Sequence, residues 1–101
     1  MTKLKRAYNF YNRAYFGGEL PDVTVKWQRW TGRCRKMMGC CCADEEILIN
    51  AELKPWAPAW KTTLLHEMAH LATHTEKKAH GPRWVKEMKR LLKAGAFDGL
   101  V

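Results

Sequence analysis

Leu64-Leu65-His66-Glu67-Met68-Ala69-His70-Leu71 is the stretch on which the reading of this chain turns. Its apolar residues recur at three and four, a spacing that predicts a helix. His66 and His70 then lie four apart on one helical face, with Cβ atoms about 5–6 Å from each other, so both rings can reach one Zn²⁺. Glu67 is held beside them, where its carboxylate can take a proton from water that the metal has acidified to a pKa of about 7. The pattern points to zinc-dependent hydrolysis. It also leaves a gap, because a catalytic zinc takes three protein ligands and keeps a fourth position open.

Three downstream residues are candidates for the third ligand. His74 lies eight residues beyond His66, about 12 Å along the helix axis and too far for one ion to join both. Glu87 falls on the charged side of a later helix, beside Lys86 and Arg90, where an ion pair is expected. His80 follows His70 by ten residues, enough for the helix to end and a short loop to turn back. Gly81 lets the backbone approach closely, and Pro82 starts the next helix in a fixed geometry. The expected ligand set is therefore His66, His70 and His80.

The surrounding elements follow from the same kind of reading. Residues 82–94 carry Trp84, Val85, Met88, Leu91 and Leu92 as one stripe, with Arg83, Lys86, Lys89, Arg90 and Lys93 opposite. This predicts an amphipathic, strongly basic last helix ending at Gly95. Pro55 and Pro58 set the start of the metal-site helix, expected over residues 59–75 with Pro58 in its first turn. Trp56 and Trp60 either line a substrate groove or anchor the Pro-rich loop, and anchoring is the expectation.

Before that helix, residues 46–50 read as a strand and a second strand lies within residues 35–43. A turn at Asp44-Glu45 makes the two an antiparallel hairpin. Val23, Val25 and Trp27 alternate with Thr24, Lys26 and Gln28 in an earlier strand. Leu4, Ala7, Tyr8, Tyr11, Ala14 and Tyr15 mark a first helix over residues 2–16, stopped by Gly17-Gly18. The expected fold is α+β, in one domain spanning residues 1–101: an N-terminal helix, a small three-stranded antiparallel sheet, the HExxH helix and a C-terminal helix.

Hydrophobic residues make up 47% of the 101 and charged residues 28%, a globular balance. No run of about 18 apolar residues could span a membrane. The charged N-terminus leads into no apolar secretory core, so a cytoplasmic or nucleoid-associated location is expected. Cys34, Cys40, Cys41 and Cys42 make a poor disulfide framework. In a strand Cys40 and Cys42 face one side and Cys41 the other, as small apolar fillers.

Net charge is +8, and it is clustered. Residues 24–36 hold Lys26, Arg29, Arg33, Arg35 and Lys36 without an acid, and residues 77–93 hold seven cations against Glu87 alone. Such a field favours nucleic acid as a partner. Trp27 and Trp30 beside the first run are candidate stacking surfaces for single-stranded DNA, or core. The expected nucleic-acid contacts are Lys26, Arg29, Arg33, Arg35, Lys36, Arg83, Lys86, Lys89 and Arg90.

An ordered set of motifs extends this reading. Tyr11-Asn12 with Tyr15-Phe16-Gly17-Gly18-Glu19-Leu20-Pro21, then Thr31-Gly32-Arg33-Cys34, Thr63-Leu64-Leu65-His66-Glu67-Met68-Ala69-His70 and His80-Gly81-Pro82-Arg83-Trp84, together resemble the SprT-like (Spartan-type) zinc metalloproteases. The likeness spans about residues 7–91. It implies a minimal metalloprotease core in which His66, His70 and His80 hold Zn²⁺ and Glu67 is the catalytic carboxylate. It further implies a protein or peptide substrate associated with or crosslinked to DNA, and activity switched on by DNA. A monomer is expected. The rival is a basic DNA-binding module in which zinc only ties two helices together, although a structural site closes with a fourth protein ligand and has no use for Glu67.

Overall fold

The computed structural model of the protein describes residues 2–32, 36–42, 46–73 and 80–100. The first helix, α1, is Lys3–Tyr15. Thr2 caps it, its Oγ1 accepting the Lys5 N–H at 3.1 Å, a contact worth about 1 kcal/mol. Gly17 and Gly18, with φ of 63° and 72°, take the left-handed turn that ends the helix, and the Gly18 N–H reaches back to the Asn12 carbonyl. The Asn12 side-chain amide donates to and accepts from the Leu20 backbone at 3.0 and 3.1 Å. Tyr8 donates its hydroxyl to the Pro21 carbonyl. The chain is thereby folded back along α1 towards the sheet.

The sheet has three strands, β1 (Thr24–Gln28), β2 (Gly39–Cys42) and β3 (Glu46–Asn50), in the spatial order β1-β3-β2. The expected hairpin is present: β2 and β3 are antiparallel, with Gly39 opposite Ile49 and Cys41 opposite Ile47. The pairing of β1 with β3 is parallel, Thr24 beside Glu46 and Gln28 beside Asn50. The sheet is mixed, which corrects the all-antiparallel expectation. β2 lies one position away from β1, so β3 returns between its two neighbours and runs alongside β1. This puts the most apolar strand in the middle, where Ile47 and Ile49 are fully buried.

Asn50 closes β3. Its amide donates to the Met37 carbonyl at 2.7 Å, and its side-chain oxygen accepts the Glu52 N–H at 2.9 Å. A short 3-10 helix, Ala51–Leu53, follows and leads into α2, Ala57–Ala72. That helix starts two residues before the expected position and ends three residues short of it, with Pro58 in the first turn as expected. It runs through the middle of the molecule, packed against β2, β3, α1 and the last helix. Trp60, Leu64, Leu65, Met68, Ala69 and Leu71 are buried along it.

The last helix, α3, is Pro82–Ala94, the expected bounds. Pro82 fixes the start, and Gly95 at φ 90° ends it. Leu91 is buried, and Trp84 and Met88 pack against the core. Val85 and Leu92, placed on the apolar stripe by the periodicity, are exposed. Among the described residues no helix is long and apolar enough to cross a membrane.

Candidate metal centre

Two turns of α2 and the loop before α3 build the site. His66 and His70 project from one face of α2, and His80 comes back to meet them from the residue before Gly81. The left-handed turn that aims it lies at His80 itself, φ 59°, while Gly81 is extended at φ −74°. A β-carbon makes that conformation cost about 1–2 kcal/mol. Contacts of the His80 ring with His66, His70 and Trp84 hold it there.

The three Nε2 atoms lie 3.1 Å (His66 to His70), 3.1 Å (His70 to His80) and 3.3 Å (His66 to His80) apart. A tetrahedral ion with metal–nitrogen bonds of about 2.0–2.1 Å sets its ligands about 3.3–3.4 Å from one another. The triangle therefore fits three ligands of one such ion, and three ligands leave the fourth position open. Among the described residues this is the group of His, Cys, Asp and Glu side chains that could hold a metal ion. Glu87 is elsewhere, accepting from Arg90 Nε at 3.0 Å as expected. His74 lies outside the described residues.

Glu67 turns about 100° round the helix from His66 and faces β2. It is only 6% exposed, and burial pushes its carboxyl up to about 7. Burial, followed by His70 and His80, holds His66 down at about 4, and burial also lowers His70. Both rings are thus neutral near pH 7 with lone pairs ready for a metal. The signs for the metal-free protein follow directly. The raised Glu67 favours folding fully below pH 4.5, and that contribution is lost as pH rises through about 7. The lowered His66 contributes above pH 6.5 and is lost as pH falls through about 4. With chelator present, the two contributions oppose each other between about pH 5 and 6.5, so Glu67→Gln should leave a melting temperature that rises more steeply with pH than that of the wild type; equal slopes in the two proteins would contradict it.

Gly39 is a residue the sequence reading missed. A β-carbon there would lie 2.8 Å from Thr63 Cγ2, 3.1 Å from the Leu48 carbonyl oxygen and 3.2 Å from Glu67 Cγ. The strand lies directly on the helix that carries Glu67, and only glycine allows it. The available signal was a glycine inside a strand, which often marks a close backbone approach. Gly39→Ala should cost about 1–3 kcal/mol, measured by thermal melting, with an unchanged midpoint counting against the contact.

Trp84 was also missed as a site residue. In the sequence it figured in an apolar stripe and in the motif that begins at His80, with no role assigned, yet its ring lies against all three histidines. The other tryptophans sort differently. Trp60 is 2% exposed and meets Trp27 edge-on at 5.9 Å, so both are core anchors. Trp56 is 62% exposed.

Of the nine candidate nucleic-acid contacts, the seven among the described residues are divided between the sheet side and α3. Lys26 lies on β1 and pairs with Glu46 at 3.0 Å. Arg29 follows β1 and Lys36 precedes β2, both exposed, while Arg33 and Arg35 lie outside the described residues. Arg83, Lys86, Lys89 and Arg90 stand on α3, which packs on α2 rather than on the sheet. Arg90 is tied to Glu87 and sits 5.4 Å over the Phe16 ring. Cys41 packs against the core, as expected of a small filler.

Compared with known proteins, the chain matches the profile of the SprT-like family over residues 4–99.

Proposed function

The chain belongs to the SprT-like family, and from that premise we propose that it is a zinc-dependent endopeptidase acting on DNA-associated proteins. The observation that carries the reading is the triangle of Nε2 atoms, 3.1–3.3 Å on a side, beside a buried glutamate of the same helix. His66, His70 and His80 would hold the ion. When bound, zinc supplies the Lewis acidity that polarises a scissile carbonyl and lowers the pKa of water.

The chain's own residues supply the rest. Glu67 takes the proton from the attacking water on a carboxylate oxygen and passes it to the leaving amine nitrogen. Its burial favours this role, because a carboxyl poised near neutrality exchanges protons in both directions. β2 is an edge strand of the sheet. A substrate segment pairing with that edge in extended form would pass Gly39 and lie next to Glu67. Trp56, exposed just ahead of α2, is available to line the groove.

DNA as partner rests on charge. Lys86 and Lys89 are exposed on α3 with no acidic partner among the described residues, and the chain carries a net charge of +8. The test is to incubate the zinc-loaded protein with a basic, loosely folded protein, with and without single-stranded DNA, beside Glu67→Ala. Fragments that require zinc and Glu67, and increase with DNA, are the expected result. No cleavage while zinc and DNA are both bound would favour a DNA-binding module in which the metal is structural.

A further inference from the structure

Trp84 stands four residues after His80, in the first turn of α3. Helical side chains lean towards their N-terminus. The indole is therefore carried back over the helix start, towards His80 and the rings of His66 and His70. Its ring centroid lies 4.4 Å from that of His80, 5.0 Å from His66 and 5.3 Å from His70, the last with the two planes 22° apart. One side chain touches every ring of the trio. Met88 and Leu91 seat the same helix on the core alongside it.

We infer that Trp84 is a positioning residue of the metal centre: its indole sets the orientations of the three imidazoles and thereby the affinity with which they hold a divalent ion. The inference rests on reading the trio as metal ligands, and it needs no proteolysis.

Two physical effects support it. The χ2 torsion of histidine is broad, so a rotamer alone does not aim Nε2, and a wall against the ring does. His66 and His70 come from a rigid helix, but His80 comes from a loop in a costly backbone conformation, and its shortest ring contact is with Trp84. The second effect is electrostatic. An imidazole bound to a divalent cation takes on positive charge, and an aromatic face attracts it. The near-parallel His70 and Trp84 rings present that face, so the indole favours the metal-bound state over the metal-free one.

The experiment measures zinc affinity of the metal-free chain by competition with a chromophoric chelator, for wild type, Trp84→Phe, Trp84→Leu and Trp84→Ala. Cobalt(II) absorption and metal-free melting curves are recorded alongside. Loss of an outer-shell partner costs about 10–100-fold in metal affinity, and the Leu and Ala variants should lose that much with shifted cobalt bands. Phe, which keeps an aromatic wall, should recover most of the affinity. Leu and Ala variants that are folded and bind zinc as wild type does, with unshifted bands, would overturn the inference, as would a Phe variant no better than Leu. If Ala does not fold, the Phe and Leu pair decides. A wild type that binds no zinc overturns this inference together with the proposed function. Wild-type binding with indifferent Trp84 variants overturns this inference alone.

Discussion

Glu67→Gln is expected to lower the rate of peptide cleavage by about 10²–10⁴-fold, the range for loss of a general acid–base group, while zinc content stays at one ion per chain. Gln keeps the length and shape of the side chain, so its contact with Gly39 is preserved. The three histidines are untouched. What is lost is the oxygen that accepts a proton. The same substitution should stabilise the metal-free protein at pH 8, because it removes a carboxylate that burial holds at a pKa of about 7. A more stable and inactive variant is the signature of a group kept for chemistry at the expense of folding. Fragment formation followed by mass spectrometry, with metal content measured on the same sample, checks both halves. Cleavage at the wild-type rate would remove Glu67 from the mechanism.

His80→Ala should weaken zinc binding by more than the about 10–100-fold that an outer-shell change costs, since it removes one of the three inward-facing nitrogens. Glu87→Ala is its control. Glu87 is one of the two other candidates the sequence offered, and it is engaged with Arg90. Competition titration should find the Glu87 variant equal to wild type. Comparable losses in the two variants would mean that the third ligand has been misassigned.

What was legible in the sequence was local. His66, Glu67 and His70 read directly, because a five-residue motif on one helix fixes its own geometry. The bounds of α3 read correctly because Pro82 and Gly95 carry backbone constraints that act on a single residue. His80 was legible from its ten-residue separation from His70, although nothing in the sequence marked His80 itself as the residue that takes the left-handed turn.

What was not legible depends on contacts distant in sequence. The parallel pairing of β1 with β3 is settled by which strand buries most apolar surface, and nothing in the short β2–β3 link reports on β1. Gly39 matters because of where α2 lies beneath it, and Trp84 because of where α2 lies beside it. Val85 and Leu92 fit the helical period yet face outward, since α3 is covered on one side only. Periodicity identifies an apolar stripe; the width of the covering surface decides how much of the stripe is used.

The most direct test of the three-histidine, open metal site is zinc-edge X-ray absorption on the one-to-one zinc complex. The account predicts nitrogen and oxygen scatterers at about 2.0–2.1 Å, the outer-shell signature of three imidazoles, and no sulfur. Sulfur at about 2.3 Å, or a fourth imidazole closing the site, would contradict it.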